Sequence, residues 1–261
     1  MSDFITEELN DNILKITLNN PLQQNTLSLD IINNFKKIIL NADNNSEVKV
    51  IIIASTGKVF SAGHNLKEIN SYRNDKDKGL GFFTTLINNC SDLMLKIIYN
   101  SKPIIAEVNG VATAAGCQLV ASCDLAYASD ISKFATPGVN IGLFCSTPMV
   151  ALSRVVKNKQ TMEMLLTGEF IYSDKAKSIG LINNYFNKED LTNEVNLIAK
   201  KISNKSSLTL KIGKKAFYNQ SEMKIIDAYK YASEVMIKNM METDSEEGIK
   251  AFIEKRQPNW N

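Results

Sequence analysis

Apolar and polar positions change their period several times along the chain, and each change marks an element. Over residues 3–18 (DFITEELNDNILKITL) they alternate about a polar step at Asn10–Asn12, which predicts an antiparallel hairpin ended by Pro21. Ser28 is placed to cap a helix over 29–41, with Ile32, Phe35, Ile39 and Leu40 on one face. The run VKVIIIA (48–54) is apolar at nearly every position, as in a strand buried on both faces. A loop, KVFSAGHNLKEI, then leads into a short helix. The charged stretch SYRNDKDK (71–78) predicts an exposed and mobile segment, either a solvated linker or a lid over a substrate.

A helix over 82–98 and a strand PIIAEV from Pro103 follow, then short strands over 125–128 and 133–135 and short helices over 149–156, 161–166 and 173–178. Gly180 suits a helix C-cap, and 181–186 reads as a further strand. Strands recur up to about Asp190 and then stop. Amphipathic helices over 191–202, 208–218, 223–241 and 246–255 take their place. The expectation is an α/β core over 1–190 and a C-terminal helical region over 191–261, whose surplus apolar surface suits docking on the core or on another subunit.

Between the strand PIIAEV and that core's next strand lies NGVATAAGCQLVASCD (109–124). It exchanges β-branched residues for Ala112, Ala114, Ala115 and Gly116 where an apolar helix begins. Small residues there let a ligand approach backbone N–H groups, and the helix adds its positive end, which outlines an anion or oxyanion site. A tight turn whose small residues serve only helix-to-sheet packing gives the same pattern.

Composition narrows the chemistry. In 261 residues, 30 basic and 28 acidic side chains leave a net charge of +2, so charge gives no reason to expect nucleic acid or membrane as a partner. The opening MSDFITEELNDN is acidic and polar where a secretory leader is basic then apolar, and no run of about 18 apolar residues follows. A cytoplasmic protein with a small-molecule partner is the expectation. Cys90, Cys117, Cys123 and Cys145 form no CxxC pair and sit in apolar surroundings, as reduced buried thiols do. His64 is the only histidine, which argues against a metal centre and against most imidazole dyads.

Several segments together carry a resemblance. FSAGHNLKEI (60–69), PIIAEVNGVATAAGCQLVASCDLAYAS (103–129), FATPGVNIGLF (134–144), EMLLTGEFIYSDKAKSIGLIN (163–183) and EEGIKAFIEKRQPNW (246–260) resemble, in order and spacing, the enoyl-CoA hydratase/isomerase or crotonase superfamily. The resemblance implies a spiral of stacked ββα units, with C-terminal helices that make homotrimers or dimers of trimers. It implies lyase or isomerase chemistry of fatty acid metabolism on a coenzyme A thioester, which is substrate or ligand and no tightly bound cofactor. The thioester oxygen would accept hydrogen bonds from the backbone N–H groups of His64 and Ala115, a form of enolate stabilisation in which one donor is worth about 3 kcal/mol of barrier. Ala62, Gly63, Leu66, Lys67 and Gly116 match segments that line the CoA path, and Phe252 and Lys255 of the last helix match further CoA contacts. Lys67 could neutralise a CoA phosphate or simply be a solvated charge. The His64 imidazole could fill space, meet solvent or take part in the chemistry.

At two positions the chain departs from the hydratases that it resembles. Where they carry a pair of acid/base glutamates this chain has Gln118 and Gly138. An amide does not accept a proton near neutral pH, and glycine offers only backbone and space. Each lost role is worth about 10²–10⁴ in rate, so efficient hydration is not expected by that route. The departures also fit a retired active site that still binds acyl-CoA as a silent or regulatory protein. Replacements would have to come from the loop bearing Asn140, Cys145 and Ser146, from Glu68 or Glu107, or from an anion bound beside Gly138, as bicarbonate is in the 1,4-dihydroxy-2-naphthoyl-CoA synthases of the superfamily. A thioester hydrolase or lyase relying on His64, Cys145 or that anion is the remaining alternative.

Overall fold

A computed structural model describes residues 4–260, so Asp3 at the start of the predicted hairpin lies outside them. β1 (Ile5–Asn10) and β2 (Ile13–Leu18) pair antiparallel through Asp11 and Asn12, whose φ of 52° and 65° suit a two-residue hairpin turn. α1 (Leu29–Asn44) begins at Ser28, whose hydroxyl accepts the Ile31 N–H at 3.3 Å, and it buries Ile32, Phe35 and Ile39. Leu40 was expected on that face and is 49% exposed. Eight residues beyond Ile32, it lies about 80° round the helix, at the edge of the stripe.

The chain then alternates between two sheets. It runs through β3 (Val50–Ser55), β4 (Val59–Ser61), α2 (Leu66–Ser71), α3 (Leu80–Ile98), β5 (Ile104–Val108), β6 (Val111–Thr113), α4 (Ala115–Ser122), β7 (Leu125–Ser129) and β8 (Lys133–Ala135). Next come α5 (Ser146–Val155), α6 (Asn158–Thr167), β9 (Ile171–Tyr172), α7 (Ser173–Ser178) and β10 (Asn184–Phe186). One sheet has the order β1-β2-β3-β5-β7-β10 and the other β4-β6-β8-β9. Successive turns therefore place one strand in each sheet (β3 with β4, β5 with β6, β7 with β8), parallel to the strand of the preceding turn. This is the expected spiral of ββα units. Sequence patterning missed the second sheet's strands at 59–61 and 111–113, since a three-residue strand is too short to establish a period of two.

The helices α8 (Leu191–Ser203), α9 (Ser207–Ser221), α10 (Ile225–Met240) and α11 (Thr243–Ile253) complete the chain. α8, read from sequence as part of the C-terminal region, packs on the larger sheet, where Leu191, Val195 and Ala199 meet Val50, Ile52 and Ile105. The main core lies on the other face, where α1, α3 and α4 cover Ile51, Ile53, Ile104, Ala106 and Val108. Strand alternation thus settles one candidate base. Glu107 shares the Ile105 face, and its carboxylate accepts from Lys15 Nζ at 2.9 Å and Thr192 Oγ1 at 2.8 Å, away from the α4 side.

α9 is tied to the core by a buried cluster. Lys214 Nζ lies 2.7 Å from Asp124 Oδ2 and donates to the carbonyls of Ile97 and Lys102, while Tyr218 donates to Asp124 Oδ1 at 2.9 Å. Among the described residues no helix is long and apolar enough to cross a membrane, and no cluster of His, Cys, Asp or Glu could hold a metal ion.

Candidate functional site

Two interlocking segments build the site. The first is Ser61–His64, held from below by Asn25, whose side-chain amide donates to the carbonyls of Thr56 and Val59 while its own carbonyl accepts from Ser61 Oγ at 2.8 Å. The second is the β6–α4 turn at Ala114. The two press together wherever side chains are smallest. A Cβ on Gly63 would stand 3.0 Å from the Thr113 carbonyl oxygen and 3.1 Å from Ala115 N, and one on Gly116 would stand 2.3 Å from the Ser61 carbonyl oxygen. These glycines are what let the backbone at 63–64 reach the start of α4.

Each segment presents an unpaired amide. Leu27 bridges to His64 in parallel fashion, its N–H bonding to the Gly63 carbonyl at 2.8 Å, so the bridge uses a flanking residue and leaves the His64 N–H on the opposite side. Ala115 is the first residue of α4, where an N–H has no intrahelical acceptor. The residue before it, Ala114, has φ 49° and ψ −118°, a conformation costing about 1–3 kcal/mol for a residue with a side chain. It is held there by its N–H bond to the Ala135 carbonyl at 3.0 Å. The conformation at this point turns the chain from β6 into α4 within one residue.

The side chains around these amides are short of partners. Gln118 is 4% exposed and its Oε1 is buried without a hydrogen bond. The His64 ring places Nδ1 3.2 Å from the Leu27 carbonyl oxygen, a contact that requires a proton on Nδ1 and leaves a lone pair on Nε2. That Nε2 is likewise buried and unpaired. Burial lowers the imidazole pKa below its ordinary 6.5, outweighing the Leu27 carbonyl, so the ring is neutral at pH 7.

At Gly138 the position that a side chain would take is occupied. A Cβ there would stand 2.5 Å from the Leu143 carbonyl oxygen and 2.9 Å from Cys145 Sγ. The loop turns back at Gly142 and bonds the Leu143 N–H to the Gly138 carbonyl at 2.9 Å, which draws Leu143 and Cys145 over the glycine. A carbonyl oxygen and a thiol sulfur fill that position. Burial pushes the Cys145 thiol pKa up, with the Gly138 N–H acting against it, so it is not a ready nucleophile.

The other candidates divide. Ala62 lies beside the site, its N–H bonded to the Gln24 carbonyl at 3.1 Å, and Leu66 and Lys67 are exposed on the first turn of α2. Glu68 accepts the Leu29 N–H at 3.3 Å, and burial raises its pKa. Asn140 and Ser146 are exposed, and the Asn140 amide lies against Gly168, at the end of α6. Phe252 is 85% exposed on α11, whose main packing is against α9 and α10, and Lys255 is exposed just beyond it. A single chain brings neither to the site. Sequence reading did not find the Leu27 carbonyl, the strained Ala114 or the Asp124–Lys214–Tyr218 cluster. Only Ala114 had a signal, the run of small residues at 112–116.

The fold defines a crotonase-type protein, and comparison agrees. A family profile described as enoyl-CoA hydratase/isomerase matches residues 8–261, and the chain belongs to that family. The wording SAGHNLKE and ATAAGCQLVASCD narrows the resemblance to the enoyl-CoA hydratase domain-containing protein 3 group, which the relatives bear out. The mitochondrial protein of that name from Xenopus laevis is 49% identical over 248 residues, covering 95% of this chain and 83% of its own. The crystal structure of human enoyl-CoA hydratase domain-containing protein 3 superposes with a TM-score of 0.94 at 44% identity, covering 98% of this chain and 100% of that one. An enoyl-CoA hydratase from Mycobacterium smegmatis gives a TM-score of 0.94 at 40% identity, with 98% of each chain covered.

One expectation is corrected by these relatives. The Xenopus, rat and human proteins are all named mitochondrial, against the cytoplasmic location inferred from charge and the opening residues. Those features report on partners and on secretory leaders, and neither distinguishes one interior compartment from another.

Proposed function

We propose that this chain binds an acyl-CoA thioester and stabilises its enolate, the thioester oxygen accepting from the N–H groups of His64 and Ala115. The family acts on CoA thioesters. The observation that carries the reading is that two unpaired amides lie on segments pressed together by Gly63 and Gly116. As the α-carbon loses a proton, negative charge gathers on the thioester oxygen, where two fixed donors and the α4 N-terminus oppose it. Rapid hydration of an enoyl thioester is not part of the proposal. Gln118 cannot deprotonate water, and Gly138 brings no carboxylate.

Self-association as a homotrimer or dimer of trimers belongs to the same reading. Phe252 and Lys255 would then reach the CoA of a neighbouring copy. A second reading, a silent acyl-CoA binder, is favoured by the closure of Leu143 and Cys145 over Gly138. A thioester hydrolase using Cys145 is not favoured, because its thiol is buried and held in the protonated form.

Thermal shift with butyryl-CoA and crotonyl-CoA tests the ligand. A ligand at 100 times its Kd adds about 2.7 kcal/mol to stability, so the melting temperature should rise by several degrees. No rise with either thioester would end the proposal. Loss of crotonyl-CoA absorbance then reports hydration, which should fall at least about 100-fold below that of glutamate-bearing hydratases.

A further inference from the structure

Resting on the enolate reading above, we propose that the His64 imidazole is the base that moves the substrate's α-proton, so that one residue serves the enolate twice, through its amide and through its ring. Nδ1–H is fixed on the Leu27 carbonyl, which commits the ring to the tautomer with its lone pair on Nε2. That Nε2 is buried with no partner in the protein. Leaving a buried acceptor unmatched is costly, and such an atom marks a place where a ligand completes the structure.

Covalent geometry supplies the reach. The histidine skeleton keeps Nε2 within about 5 Å of its own amide nitrogen, and the α-carbon of a thioester lies about 2.4 Å from the oxygen that the amide would hold. An oxygen at hydrogen-bond distance from the amide therefore allows the α-carbon to come within contact range of the ring when both lie on one side of residue 64. Other candidates for the role are occupied or unsuitable. Glu107 is paired with Lys15 and Thr192 on the far face, Glu68 is bonded to Leu29, Gln118 does not titrate, and the thiols of Cys117 and Cys145 are held protonated by burial.

The step balances without a co-reactant. Nε2 takes the proton from the α-carbon, the C–H pair becomes the carbon–carbon double bond, and the carbonyl π pair moves onto oxygen between the two amides. The imidazolium, still donating to Leu27 from Nδ1, returns a proton to the same carbon. In D2O it returns a deuteron after exchange with solvent.

The test is α-hydrogen exchange of butyryl-CoA in D2O, followed by proton NMR alongside thermal shift. The wild-type protein should exchange the α-protons, and His64→Ala, which keeps the backbone N–H, should retain the thermal shift while exchange falls at least about 100-fold. The wild-type rate should fall at acid pH with a single break, displaced below the ordinary imidazole value by burial. Burial and the Leu27 carbonyl are what act on the His64 ring, whereas the Asp30 charge acts on Glu68, so Glu68→Gln and Asp30→Asn should keep that break. Exchange by His64→Ala within a few-fold of wild type would overturn the base and leave the enolate reading standing. Thermal shift without any wild-type exchange would overturn both. Were His64→Ala unfolded, a break lost in Glu68→Gln would overturn the assignment to His64.

Discussion

At position 138 a glutamate would begin with its Cβ 2.5 Å from the Leu143 carbonyl oxygen, and at position 118 it would replace an amide of nearly the same shape. The two departures from the hydratases are therefore not equivalent. Gln118→Glu should fold, and its carboxyl, buried at a site 4% exposed, should titrate above the ordinary range. Gly138→Glu must displace backbone as well as Cys145, an overpacking that costs about 1–3 kcal/mol, and should lower the melting temperature by several degrees with no gain in hydration. A stable and hydrating Gly138→Glu variant would show that the 138–145 loop yields more readily than its contacts suggest. His64 makes a prediction of its own. Its pKa is lowered on folding, so between the folded value and 6.5 the unfolded chain binds more protons than the native one. Its contribution to stability is complete above about pH 6.5 and is lost as pH falls through that window. Melting curves from pH 7.5 to 5 should show this decline, and His64→Gln should flatten it. The identities at 64, 118 and 138 were legible in the sequence, but their surroundings were not. Glycine at 138 suggested empty space, whereas its neighbours come from five and seven residues further on, around a turn that no period in the sequence marks.

At the scale of elements, long periodic segments were legible and short ones were not. α1, α3 and the C-terminal helices each span three turns or more, enough for a 3.6-residue stripe to stand out, whereas β4 and β6 have three residues each. The expected exposed segment at 71–78 is exposed, yet Asp77 accepts from the N–H groups of Gly79 and Gly81, and Tyr72 stacks on Phe82 at 3.7 Å. The Asp124 cluster joins residues that no single window compares, spanning 90 residues between the end of α4 and α9. Asp124 accepts from the Ile104 N–H, Lys214 and Tyr218, so Asp124→Ala strands a buried cation beside two carbonyls and should cost about 3–5 kcal/mol. Lys214→Met removes the cation and leaves Asp124 with two donors, so it should cost less. Chemical denaturation of both variants checks the order, and the reverse order would mean that Lys214 is held chiefly by the Ile97 and Lys102 carbonyls.

The whole molecule leaves a surface that its own fold does not cover. Ile225, Ile226 and Tyr229 on α10, Met241 just beyond it, and Phe252 and Ile253 on α11 are each 70% exposed or more. Isolated exposed apolar residues are ordinary, but six large ones within 29 residues of two adjacent helices are what a subunit interface leaves on a single chain. Two of the expected CoA contacts, Phe252 and Lys255, lie at the end of this surface and not at the site of their own chain. If copies assemble through it, assembly and CoA binding are coupled, because a monomer lacks part of the pocket. Light scattering on the eluting protein should then show a trimer or hexamer, and Ile226→Asp should shift it towards monomer. The same variant should lose part of the thermal shift with butyryl-CoA even though residue 226 is not among the expected CoA contacts. Lys255→Ala should weaken that shift and leave the size unchanged, which separates contact with CoA from assembly. A wild-type monomer with a full thermal shift would break the coupling, and would place the whole CoA site within one chain.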